Sequence, residues 1–384
     1  MNIKLYNNKD FEDTIIISFF YQETLKDKYL WELLEGTIDM AFKKDFNLQK
    51  KLMKNYNAKI DFKQVSYGNN CALMMMMKNL NRKYTMNNEN ISIECLKILL
   101  ECIFNMEKYL RTVTIKEFNA LVKDFKEILE KNKNSIFEYL LENINDPTIT
   151  LDTVTLEDVI LYSNKILKNS KVFVQIISDD ETANDILKNE EFKCLENLNY
   201  IPKELSFNKL NLEYNYIENV SDKLPTEIDF ILQRENLKID EETIVKNKLL
   251  TEILNMYVFN IVREENSLSY NPNVVFNDKY NFIHIRANFN SNDKEKVQGL
   301  ITQIIENIKE GKLDYEFFEY SKNNLKKINS SKNFDIYRQA CEDLKIKVTG
   351  FKFNLELLEK LTKQDIINHL KSFETKLIYY LGGK

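Results

Sequence analysis

The apolar positions of this chain fall into runs that switch between the strand period and the helix period. Thr14–Tyr21 reads Thr-Ile-Ile-Ile-Ser-Phe-Phe-Tyr, a β-branched and aromatic run that predicts a buried strand. Lys28–Lys44 then places Leu30, Leu33, Leu34, Ile38 and Ala41 at helical spacing. Ala58–Gln64 alternates and Cys71–Lys78 is almost wholly apolar, with Gly68-Asn-Asn70 as the turn between two strands. Helical periods return at Ser92–Tyr109, Ile115–Asn145 and Thr155–Leu167, ahead of a strand at Lys171–Ser178. The second half follows the same order. It runs from a strand at Glu227–Gln233 to a helix at Glu242–Val262, then strands at Asn273–Phe276 and Phe282–Phe289. Helices at Lys294–Lys309, Tyr315–Ser330 and Thr362–Phe373 precede a final strand at Thr375–Leu381.

The two halves repeat at a nearly fixed offset. Ile15 and Ile228 open the first strands, 213 residues apart, and Thr155 and Thr362 open the late helices, 207 apart. Val172 and Leu377 in the closing strands are 205 apart. Each late helix begins with Thr and carries Asp three residues on, the signature of an N-cap with acidic residues in the first turn. These anchors indicate an internal duplication. The expected fold class is α+β: two tandem homologous domains, each an antiparallel sheet packed against helices. The boundaries read as 1–180 and 222–384, with a polar, irregular linker over 181–221 that contains Pro202.

Length and composition narrow the chemistry. At 384 residues the chain suits two or three domains, and 54 Lys+Arg against 59 Asp+Glu give a net charge of −5. Both signs are mixed along the chain and no basic block occurs, so nucleic acid is not an expected partner. The longest apolar runs, Ile15–Phe20 and Cys71–Met77, are too short to span a bilayer. The first residues carry no apolar stretch behind a basic start, so no signal peptide is expected. Five cysteines (Cys71, Cys95, Cys102, Cys194 and Cys341) include no C-x-x-C, which fits a reducing cytoplasm and neither a disulfide framework nor a thiolate zinc site. The only histidines, His284 and His369, lie 85 positions apart. That excludes a paired-histidine zinc helix within this chain, and no metal ligands are expected in it.

The duplicated α+β order resembles the insulinase/pitrilysin family of zinc peptidases, in particular its small two-domain bacterial members and the mitochondrial processing peptidase subunits. The sharpest motif is Leu249–Asn260 running into Arg263-Glu-Glu-Asn-Ser-Leu-Ser-Tyr270, similar to the family's helix followed by R-E-x-x-x-L-x-Y. The resemblance implies that Arg263 and Tyr270 reach from the second domain towards a zinc site. There a guanidinium and a phenol O–H could hold the oxygen of a peptide bond under attack. Read without the resemblance, Arg263 is a solvated cation at a helix end and Tyr270 a packing residue.

The first half departs from that family. Active members carry H-x-x-E-H on the helix after the first strand and a ligating Glu further on. Here the corresponding stretch is Tyr29-Leu-Trp-Glu-Leu-Leu-Glu-Gly-Thr37, with Glu32 and Glu35 but no imidazole. These two carboxylates read as an acid/base pair or, more simply, as a charged helix surface. Glu117, Glu127 and Glu130 read as a solvated helical face. The run Met74–Met77 alternates along a strand, so half of it is expected in the core. His284 reads as part of a polar sheet face with Arg286 and Asn288.

The resemblance therefore implies a catalytically silent subunit of a heterodimeric zinc peptidase that processes or degrades peptides. Zinc and the general base would come with a homologous partner subunit, and this chain would hold no cofactor. The two subunits would form a clam-like chamber in which an extended peptide adds as a strand to a sheet edge. The competing reading is a non-enzymatic scaffold or peptide-binding protein, as a homodimer, that keeps the fold without the chemistry.

Overall fold

A computed structural model of the chain describes residues 2–8, 10–23, 29–131, 136, 140, 150–188, 215–220, 226–235, 239–330 and 336–382. In the first half, β1 (Asn2–Asn7) and β2 (Glu12–Gln22) lead into α1 (Leu30–Lys44) and α2 (Phe46–Lys54). The hairpin β3 (Lys59–Tyr67) and β4 (Asn70–Leu80) follows, then α3 (Ser92–Phe104), α4 (Met106–Leu110), α5 (Ile115–Lys131) and α6 (Leu156–Asn169). The half closes with β5 (Lys171–Ser178) and α7 (Asp180–Leu187). The strands form one sheet in the order β1-β5-β2-β4-β3.

The second half repeats this plan. It comprises β6 (Asn215–Val220), β7 (Glu227–Arg234), α8 (Glu241–Val258), a π-helical segment (Phe259–Glu265), β8 (Asn273–Asn277) and β9 (Phe282–Asn288). Then come α9 (Lys294–Lys309), α10 (Tyr315–Ser330), α11 (Ile336–Thr349), α12 (Leu355–Lys360), α13 (Lys363–Lys371) and β10 (Phe373–Gly382). Its sheet runs β6-β10-β7-β9-β8, the same order shifted by five strands. The α+β class and the two repeated sheets agree with the sequence pattern. Each sheet is antiparallel except for one parallel edge strand, β1 on β5 and β6 on β10. Neither edge strand is announced by its sequence, and both β6 and α7 lie at or within the stretch that reads as a linker. The two late helices are closed by full capping boxes, Thr155 with Asp158 and Thr362 with Asp365, as their spacing predicts. Among the described residues, no helix is long and apolar enough to cross a membrane.

The chain divides into two compact units that interleave in sequence. One is Met1–Leu129, Asp146–Glu204 and Phe334–Thr349; the other is Glu130–Asn145, Leu205–Asn333 and Gly350–Lys384. The reason is that each sheet has two faces to cover. In the first unit, Ile15, Ile17 and Phe19, Met75 and Met77, and Val172 and Val174 face that half's own helices. The opposite face is covered by α11, which comes from the other half of the sequence. Gln175 Nε2 donates to the Ala340 carbonyl at 2.8 Å, Tyr337 Oη lies 3.1 Å from Met76 Sδ, and Asn70 Nδ2 donates to the Val348 carbonyl at 3.3 Å. Consequently all four of Met74–Met77 are buried, at 0–3% exposure, and not half of them.

In the second unit Ile228, Phe230 and Leu232 join the core beneath that unit's helices. On the reverse face Ile231, Phe282, Leu377 and Tyr379 pack with Ile136 and Leu140 of the first half. The cover is thus reciprocal. Truncating a core leucine to alanine costs about 2–5 kcal/mol, and Leu344 of α11 is fully buried. Leu344→Ala should lower stability in denaturant titrations by about that amount. Hydrogen exchange should speed up in β3–β5, over 160 residues away in sequence. Unchanged exchange there would contradict the assigned cover.

Candidate functional site

The Arg263–Tyr270 string begins where α8 widens into the π-helical segment, a form frequent at functional sites. Val262 is fully buried and Leu268 nearly so, and both belong to the second unit's core. Between these anchors Ser267 takes a left-handed backbone at φ +54°, and its amide donates to the Arg263 carbonyl at 2.8 Å. A non-glycine residue there costs on the order of 1–2 kcal/mol, so the surrounding packing fixes the turn. The Leu268 amide closes the segment on the Val262 carbonyl at 3.0 Å, and Asn266 Nδ2 donates to the Ile261 carbonyl at 2.8 Å.

The result is a rigid base that holds two polar side chains outward. The Arg263 guanidinium lies 4.7 Å from the Phe259 ring centroid, and its Nε is 3.3 Å from Glu264. Tyr270 is 81% exposed, so it is not a packing residue of this chain.

On α1, Glu32 and Glu35 both face solvent. Local desolvation, then the Asp39 carboxylate, push the Glu35 carboxyl above its ordinary value. The helix is closed on its α5 side. A Cβ on Gly36 would stand 2.8 Å from Leu121 Cδ1, and Tyr29 meets Phe125 edge to face at 6.2 Å. Glu117 bonds Lys44 at 2.8 Å and caps α5 through Thr114. Those contacts hold its carboxyl down at about 2. Glu127 lies 3.7 Å from Lys123, and the Glu130 side chain is outside the described residues. Glu117 and Glu127 are therefore surface residues of α5. Among the described residues no group of three His, Cys, Asp or Glu side chains could hold a metal.

Sequence spacing misses a buried charge cluster on the reverse face of the second sheet. His284 Nε2 lies 2.5 Å from Asp229 Oδ1, which also accepts from Arg286 Nε at 3.0 Å. Glu227 lies 3.4 Å from Arg286 and accepts from Asn288 Nδ2 at 3.2 Å. Asp229 and Glu227 sit on β7, some 55 residues before their partners, and only the β7–β9 register brings them together. The alternation around His284 was the available signal. The cluster holds no nucleophile and is a buried ion-pair network.

No family model matches the chain, and no curated protein matches it in sequence. Solved structures match it in fold. A protease from Helicobacter pylori is 13% identical with a TM-score of 0.73, covering 99% of this chain and 96% of that one. A conserved protein from Enterococcus faecalis V583 is 17% identical with a TM-score of 0.70, covering 100% and 96%. A peptidase M16 inactive domain from Pseudomonas fluorescens is 11% identical with a TM-score of 0.67, covering 100% and 95%. The chain therefore has a peptidase-like two-unit fold along its whole length.

Burial, then the Asp229 carboxylate, push the Glu227 carboxyl from its ordinary 4.5 up to about 7. The folded state then holds this proton more tightly than the unfolded chain does. Stability from this group is complete below about pH 4.5 and falls as pH rises through about 7. Glu227→Gln should remove that slope, with a gain at pH 8 of at most about 3 kcal/mol. Unfolding titrations at pH 5 and pH 8 measure it. An identical pH slope in wild type and variant would rule this assignment out.

Proposed function

We propose that this chain is a catalytically silent, peptidase-like subunit that supplies Arg263 and Tyr270 to the zinc site of a homologous partner acting on peptides. The observation that carries the proposal is the pairing of rigidity with exposure. Val262 and Leu268 anchor the segment in the core while Tyr270 stands 81% exposed.

This chain's own residues do not fit zinc. The stretch matching the family's metal helix offers Glu32 and Glu35 without an imidazole, and Gly36 beside them is closed against Leu121. A partner's zinc would supply the activated water. Arg263 and Tyr270 would do the rest of the electrostatic work. As a peptide carbonyl gains negative charge, the guanidinium and the phenol O–H donate hydrogen bonds to it or to neighbouring carbonyls. Peptide affinity would come from strand addition at an open sheet edge. The strand orders end in β1 and β3 in one sheet and β6 and β8 in the other, and β3 is only partly buried along most of its length. Three buried cysteines, Cys71, Cys95 and Cys102, none in a disulfide, suit a reducing cytoplasm.

The test is peptide cleavage by this chain reconstituted with a zinc-bearing partner. Tyr270→Phe removes one hydroxyl from an exposed site, and Arg263→Lys keeps the charge but loses the planar fork. Each should lower turnover by roughly 10²–10³-fold while assembly is unchanged, the scale for loss of an oxyanion donor. Wild-type turnover by both assembled variants would leave the chain as a scaffold or peptide-binding protein.

A further inference from the structure

The chain has six arginines, and they use their guanidinium groups differently. Arg82, Arg111 and Arg286 each place a terminal nitrogen on a carboxylate, of Glu181 at 2.7 Å, Glu107 at 2.9 Å and Glu227 at 3.4 Å. The terminal end of each is thereby committed within the chain. Arg263 is engaged from the other side. Its carboxylate partner Glu264 stands at Nε, 3.3 Å away, and the centre of the guanidinium lies 4.7 Å over the Phe259 ring. Among the described residues, neither terminal nitrogen of Arg263 makes a hydrogen bond.

The platform under the guanidinium is itself fixed. Phe259 begins the π-helical segment four residues before Arg263, a spacing that brings side chains together on one side of a helix. Its amide donates to the Asn255 and Met256 carbonyls in the last turn of α8. Val258 before it and Val262 after it are fully buried, while the Phe259 ring is half-buried. An arginine free to sample its rotamers loses that freedom when an acceptor arrives. One already stacked on a ring and stopped at Nε has lost much of it in folding.

We propose that Phe259 is a positioning residue for Arg263: its ring carries the guanidinium plane, Glu264 stops it at Nε, and the terminal nitrogens form a fixed fork for an oxygen acceptor brought by another molecule. Phe259 touches no acceptor and acts only through Arg263. An oxygen that gains negative charge then draws two parallel N–H bonds from the fork without further reordering. The consequence for turnover rests on the role proposed for Arg263 at a partner's zinc site; the clamp itself does not.

The clamp is read in the full-length chain alone, from magnetic relaxation of the Nε–H groups after isotopic labelling of arginine. Arg263→Gln assigns the Arg263 signal by deleting it. In the wild type that signal should be displaced by the Phe259 ring current and relax as an ordered group. Phe259→Leu keeps apolar bulk but removes the π face, so the displacement should vanish and the group should relax as a mobile one. Phe259→Tyr keeps the face and should preserve both signatures. In the reconstituted pair, Phe259→Leu should lower kcat roughly three- to tenfold with KM unchanged. It should cost nothing further in an Arg263→Gln background. A Phe259→Leu chain whose Arg263 signal stays as ordered and as displaced as in the wild type would overturn the proposal. A loss of kcat that persists in the Arg263→Gln background would do the same. Wild-type turnover by Arg263→Gln, with the clamp signature present, would instead overturn the proposed function and leave the clamp standing.

Discussion

Each five-stranded sheet in this protein buries side chains on both faces, while the helices that follow it in sequence cover only one. The whole arrangement depends on that mismatch. Apolar surface left in water costs roughly 25 cal/mol per Å², so the second face of each sheet needs its own cover. It comes from the opposite half of the chain: α11 lies on the sheet of β1–β5, and Ile136 and Leu140 pack on the sheet of β6–β10. Folding of one unit is thereby tied to residues encoded in the other half.

The same constraint explains what could and could not be read from the sequence. Strands with strong β-branched runs, such as Ile15–Phe20, and the helices α9 and α10 stand where their periods place them. The caps Thr155 and Thr362 are legible because a capping box is a local, chemical signal. The edge strands β1 and β6 are not, because they are short and polar and gain their order from β5 and β10. α11 is also illegible, since its buried residues Ala340, Leu344 and Val348 are too sparse to announce a helix on a distant sheet. The full burial of Met74–Met77 escapes the sequence pattern for the same reason. Alternation predicts one buried face and cannot reveal that a segment beginning at residue 336 covers the other.

Duplication also supplies an internal comparison for the sites. In the first half, α1 carries Glu32 and Glu35 without an imidazole, and its flank is filled by Leu121 and Phe125. The second half keeps Arg263 and Tyr270 held outward from a segment anchored at Val262 and Leu268. Arg263 and Tyr270 were visible as a motif, while the exposure that gives the motif meaning was not. The Asp229–His284 pair is legible only through sheet register.

The proposed lack of metal chemistry in this chain follows from the missing imidazole on α1. It is tested most directly by metal analysis of the purified chain, prepared without chelators and assayed alone for peptide hydrolysis. The account predicts no stoichiometric zinc and no hydrolysis that a chelator abolishes, because no imidazole accompanies Glu32 and Glu35 on α1. One tightly held zinc per chain, together with chelator-sensitive peptidase activity, would contradict it.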